Sequence, residues 1–177
     1  MKTKWLPLML TLALLAACAL PFPQRASTAD PMQVALSLID HKPNKPLKKG
    51  GKFELAVTAK DAEDIFGIEF VLEYDPKMAE LRDDPEVSKS YNGWVRKVDK
   101  RSGRVTLAMT RKTLPPGSPG DIRLATIEFK ALKPGEASFK LKRIQAVDAA
   151  PAALPANAEF PLVLTIADKG KPDRPND

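Results

Sequence analysis

One cysteine, one histidine and an aromatic share of 6% are what this sequence has least of. With Cys18 as the sole thiol, no disulfide can form within the chain, and zinc sites built from His and Cys lack ligands. A nucleophile and histidine pair would have to use His41, which sits in a Lys/Pro/Asn stretch. No phosphate-cradling glycine loop occurs, and no long segment has the 3.6-residue period of an amphipathic helix. The densest basic stretch (Lys42, Lys45, Lys48, Lys49, Lys52) has no interleaved aromatics for base stacking, so it reads as a solvated loop and no nucleic acid partner is expected. Two acidic clusters, Asp61, Glu63, Asp64 and Asp83, Asp84, Glu86, fall in expected loops and do not follow the calcium-loop spacing. No metal-ligating set, cofactor or catalytic residue is assigned on these grounds, calcium being the one ion such acids would suit.

What is present begins with a leader. Lys2 and Lys4 precede an apolar run from Trp5 to Leu15, the pattern of a secretory signal peptide and shorter than the roughly 20 residues a membrane-spanning helix needs. Leu15-Ala16-Ala17-Cys18 looks like a bacterial lipobox, which would make residues 1–17 a lipoprotein signal peptide and Cys18 the lipidated residue. Residues 18–31, with three prolines, would then be a flexible tether to an exported domain held on the extracytoplasmic face of the cell membrane. The alternative is ordinary cleavage after Ala29, within the small-residue run Ser27-Thr28-Ala29, and full secretion. Loss of Lys2 and Lys4 with the leader brings the net charge from +6 to +4.

Between Gln33 and Ile166 apolar residues recur at every second position: Val34, Leu36, Leu38; Phe53, Leu55, Val57, Ala59; Val105, Leu107, Met109; Ala125, Ile127, Phe129, Ala131; Phe139, Leu141; and Phe160, Leu162, Leu164, Ile166. The clearest run points Phe66, Ile68, Phe70, Leu72 and Tyr74 one way and Gly67, Glu69, Val71 and Glu73 the other. Weaker strands are expected at Met78–Leu81 and Trp94–Val98, with a short helical turn after Asp75-Pro76. Turn residues separate the runs, at Lys49-Gly50-Gly51, Ser102-Gly103 and Lys133-Pro134-Gly135 among others. Many short strands at this spacing predict an all-β sandwich over residues 32–167, with a long Ala/Pro surface loop before the last strand and a disordered tail at 168–177.

Two surface features remain. Glu69 and Glu73 flank Val71 on the wet side of the strongest strand, beside Gly67, where the backbone is uncovered. Tyr91 and Trp94 are the aromatics outside the inward sets, and they serve either as a small sugar platform or as a plug at the end of the sandwich.

Across roughly Val34 to Ile166 the sequence resembles the cohesin domains of cellulosome scaffoldins and their stand-alone relatives. The resemblance is carried by Gly50-Gly51-Lys52-Phe53-Glu54-Leu55, by Gly67-Ile68-Glu69-Phe70-Val71-Leu72-Glu73-Tyr74-Asp75-Pro76, and by Leu124-Ala125-Thr126-Ile127-Glu128-Phe129-Lys130-Ala131 followed by Pro134-Gly135. It implies a jelly roll of about nine strands, related in fold to carbohydrate-binding modules, and a role in holding dockerin modules, which are calcium-bound helical pairs, against one flat sheet face. Aligned on Tyr74-Asp75-Pro76, Glu69 matches an acidic position of that face, where the family's acid is shorter, and Gly67 stands where an amide is common. The loop from Leu114 to Asp121 resembles the variable loop beside the face, which adds Leu114, Pro115 and Ser118 as loop contacts.

The expectation is therefore a non-catalytic binding module displaying Gly67, Glu69, Val71 and Glu73 with Thr106, Ala108 and Thr110 to a dockerin-like protein, in a setting linked to polysaccharide degradation. The alternatives are a cell-surface carbohydrate-binding module that takes polysaccharide through Tyr91 and Trp94, and a structural envelope lipoprotein without a discrete ligand.

Overall fold

The computed structural model describes residues 31–40, 46–62, 65–111 and 120–168, and every regular element among them is a strand. In chain order these are β1 (Met32–Leu38), β2 (Leu47–Lys48), β3 (Lys52–Ala62), β4 (Gly67–Tyr74), β5 (Ala79–Leu81), β6 (Glu86–Val87), β7 (Gly93–Asp99), β8 (Arg104–Thr110), β9 (Gly120–Ala131), β10 (Gly135–Val147), β11 (Ala153–Leu154), β12 (Ala156–Ala158) and β13 (Leu162–Ala167). Eight of them run six residues or more and five are two- or three-residue pieces, so the expected nine falls between the eight long strands and the thirteen in all.

The strands form two sheets. One has the order β12-β1-β3-β9-β5, with β6 also on β9; the other has the order β2-β13-β10-β4-β8-β7, with β11 on β10. Neighbours far apart in sequence, β3 with β9 and β4 with β10, show the chain passing back and forth between the layers, as in a jelly roll. Alternation does the sealing: Phe53, Leu55, Val57 and Ala59 of β3 and Ile127, Phe129 and Ala131 of β9 face Ile68, Phe70, Leu72 and Tyr74 of β4 and Val105, Leu107 and Met109 of β8. Four aromatic rings interlock at one end, with Phe129 edge-on to Tyr74 at 5.0 Å and to Phe139 at 5.1 Å between centroids, and Phe53 stacked on Phe129 at 5.7 Å. Each buried large side chain contributes roughly 1.5–3 kcal/mol, which lets the sandwich form without a cross-link.

Two inward assignments are corrected. Phe160 is 95% exposed, because β13 begins only at Leu162 and Pro161 holds the preceding chain outside the ladder. Phe66 is half-buried just before β4, where its amide donates to the Val147 carbonyl. The segment after Asp75 is a single turn, with the Met78 and Ala79 amides on the Asp75 carbonyl and the Lys77 amide on its carboxylate.

The β7–β8 hairpin is closed by side-chain chemistry. Asp99 Oδ1 accepts from the Arg101 amide at 3.0 Å and the Ser102 amide at 3.2 Å. Gly103 follows with a φ of +63°, and its carbonyl accepts from the Tyr74 amide. A Cβ at this position would stand 2.0 Å from the Tyr74 carbonyl oxygen, so only glycine fits.

Candidate docking face

The outer faces of the two sheets differ in chemistry. On the β3–β9 sheet, outward residues of both signs alternate and pair: Lys52 lies 2.8 Å from Glu128 and Lys60 2.5 Å from Glu159. This is an ordinary wet surface.

On the other sheet, the register of β10, β4, β8 and β7 arranges the outward residues in four rows. They read Val147, Gly67, Thr110, Gly93; then Gln145, Glu69, Ala108, Val95; then Lys142, Val71, Thr106, Lys97; then Lys140, Glu73, Arg104, Asp99. All seven residues expected on the face, Gly67, Glu69, Val71, Glu73, Thr106, Ala108 and Thr110, are brought together in its two central columns.

The first two rows enclose a shallow apolar depression of about 480 Å³. Missing side chains hollow it, since a Cβ on Gly67 would stand 3.1 Å from Val147 Cγ2 and one on Gly93 would stand 2.9 Å from Thr110 Oγ1. Val95 is 71% exposed at its rim. The last two rows form a groove of about 520 Å³ lined by Val71, Glu73, Lys97, Asp99, Arg104, Thr106, Lys142 and Arg143. Val71 is only 7% exposed, so it is the floor of that groove rather than a rim contact, and Gly67 is likewise buried. The reason is concavity: long side chains on the flanking strands rise past a short central one.

Both acids of the groove are engaged. Arg104 Nη2 donates to Glu73 Oε1 at 2.8 Å. Asp99 is held below the usual carboxylate range, chiefly by hydrogen bonds from Ser102, with the Arg101 amide and the Arg104 charge adding to the effect. Among the described residues Lys97, Lys142 and Arg143 make no ion pair, so this end of the face is cationic.

Sequence reasoning missed the flanking columns. In β7, Gly93-Trp94-Val95-Arg96-Lys97-Val98-Asp99 lacks a clean alternation because the strand is largely exposed at the sheet edge. In β10 the alternation breaks at a bulge, where the register steps from Lys142 opposite Val71 to Gln145 opposite Glu69. Arg143 sits in that bulge with a φ of +47°. A one-residue break in a period-two pattern is the signal that could have located it.

The two aromatics proposed for sugar do not form a platform. Tyr91 is 3% exposed, with the Arg111 guanidinium 5.1 Å from its ring centroid, and it closes one end of the core. Burial pushes its phenol up, against the opposing Arg111 charge. Trp94 is 46% exposed and is among the residues lining the apolar hollow at its β7 edge, but it stands opposite Met109 and out of phase with Gly93 and Val95, and Arg96 lies 5.5 Å from its ring while forming an ion pair with Asp84. Cys18, His41, Leu114, Pro115 and Ser118 lie outside the described residues. Among the described residues no cluster of three or more His, Cys, Asp or Glu is arranged to hold a metal ion.

Comparison with known proteins agrees with the fold. The profile of the cohesin domain matches residues 41–151. Among solved structures, a type II cohesin domain from the cellulosome of Acetivibrio cellulolyticus superposes with a TM-score of 0.64 at 14% identity, covering 76% of this chain and 95% of that one. A type I cohesin–dockerin complex from Clostridium thermocellum gives 0.63 at 17% identity, covering 78% of this chain and 100% of the other. A non-cellulosomal cohesin from the archaeon Archaeoglobus fulgidus gives 0.62 at 13% identity, with 78% and 92% covered. No curated protein matches in sequence.

Proposed function

The chain belongs to the cohesin domain family, and from that premise we propose that it is a non-catalytic docking module that holds a dockerin-type helical pair against the outer face of β10, β4, β8 and β7. The observation that carries this reading is an apolar hollow over Gly67 and Ala108 that adjoins, on the same outer face, a groove lined by Lys97, Lys142 and Arg143, which make no ion pair among the described residues. A face of this kind supplies an apolar centre for packing and a charged margin for orientation. Glu69, in the second row between Gln145 and Ala108, is the acid placed to accept hydrogen bonds from a partner helix.

The lipobox-like Leu15-Ala16-Ala17-Cys18 supports export and anchoring at Cys18, which would present the module outside the cell. Incorporation of a labelled fatty acid that is lost in Cys18→Ser checks this part; equal labelling of the two proteins rules it out.

For docking itself, the full chain is titrated by calorimetry with dockerin modules from the Clostridium thermocellum complexes, in calcium. Binding is expected, with at least a tenfold loss in Ala108→Arg, which fills the hollow at unchanged fold. Absence of binding by every dockerin, or full binding by Ala108→Arg, defeats the proposal.

A further inference from the structure

A regular strand cannot put two successive side chains on one face, yet Lys142 and Arg143 both line the groove above Val71. The bulge makes this possible. Between Lys142 opposite Val71 and Gln145 opposite Glu69, β10 spends two residues where β4 spends one. Omitting Arg143 would leave Ile144 opposite Phe70 and restore an unbroken ladder with every face preserved, so the inserted residue is the arginine itself. It is held at a φ of +47°, a left-handed conformation that is unfavourable for a non-glycine residue. Side-chain and loop packing gain nothing evident in return, since Arg143 is exposed.

Resting on the docking reading above, we propose that the β10 bulge is a specificity device: Lys142 and Arg143, facing Lys97 across the groove, select a helical protein partner that is acidic at one end and apolar along one side, and fix the direction in which it lies.

Three further observations support this. The acids that could neutralise the groove are already occupied, Glu73 by Arg104 and Asp99 by its own turn. The cationic rows adjoin the apolar rows along the strand direction, so the face has a polarity from Lys142 to Val147. From Gly67 to Glu73 it extends about 20 Å, which matches some 13 residues, or three to four turns, of helix. An anionic polysaccharide would answer the cations and not the apolar hollow, whose exposed rim is Val95 and where Trp94 is the single aromatic in the lining. A helix with acids over one end and alanine or leucine elsewhere answers both.

The test uses the full chain and three probes: a 20-residue amphipathic helical peptide with Ala and Leu on one side and four Glu over its last two turns, the same peptide with Lys for Glu, and polygalacturonate. The expected result is binding of the Glu peptide alone, weakening at least tenfold between 50 and 500 mM NaCl. Arg143→Gly should weaken it at least fivefold while the melting temperature holds or rises, because glycine accepts the positive φ. Lys97→Gln, on another strand, should weaken it similarly. The proposal is overturned by equal binding of the two peptides, by no binding of either, by a full-strength Arg143→Gly complex, or by polygalacturonate binding that Val95→Asp leaves intact. The dockerin reading fails separately: dockerins that do not bind while the Glu peptide does would leave this inference standing, and dockerins that bind Arg143→Gly unchanged would remove it and keep the other.

Discussion

Gly103 shows how a single position ties the hairpin to the face it supports. Its carbonyl accepts from the Tyr74 amide and the Tyr74 carbonyl oxygen fills the place a Cβ would take, so a methyl group has no room and the left-handed φ adds to the penalty. Gly103→Ala is expected to cost at least about 2 kcal/mol, measurable by urea denaturation. Asp99 acts a few residues earlier, with a carboxylate that accepts two turn amides and titrates below its ordinary range. A depressed pKa means that the stabilisation is complete above the unfolded aspartate's value and disappears as pH falls through the folded one. The melting temperature of Asp99→Ala should therefore lie below the parent's at pH 7, with the gap closing as the pH is taken below the usual carboxylate range. At this scale the turn at Ser102-Gly103 could be read directly, because turns are local. The burial of Tyr91 and Val71 could not, since what covers each is contributed by other elements: Arg111 over the one, and the margins of β10, β8 and β7 around the other.

Among the elements, β4 was readable in its facing, with Ile68, Phe70, Leu72 and Tyr74 inward and Gly67, Glu69, Val71 and Glu73 outward, because successive side chains of a regular central strand point to opposite faces. β7 at the open edge and β10 with its bulge were not. Exposure at the edge relaxes the demand for apolar residues on either side, and an inserted residue shifts the pattern by one. If Arg143 is the insertion, deleting it should give a regular β10 with unchanged far-ultraviolet circular dichroism and a stability within about 1–2 kcal/mol of the parent. A loss of cooperative unfolding in the deletion variant would show that the bulge is needed for packing instead. Phe160 follows the same logic, as alternation continued on paper through a residue that Pro161 keeps outside the ladder.

For the molecule as a whole, two layers seal through Phe53, Phe129, Phe139 and Tyr74 and the aliphatic rows beside them, and no cross-link contributes. With Cys18 as the sole cysteine, a reducing agent should leave the melting temperature unchanged, and a fall would reveal a bond between chains. Alternation by itself determined the all-β class, the identity of most core residues and the wet side of β4, because a period of two is a local property that any one strand expresses alone. The motif residues around Tyr74-Asp75-Pro76 carried the family. Only the tertiary structure decided which outer face is hollow, which cations stand beside it and which aromatic is available at the surface, because those depend on register between strands distant in the chain. Gly67 meets Val147 and Thr110, and Val71 meets Lys142 and Thr106, only after β10 and β8 have paired on either side of β4.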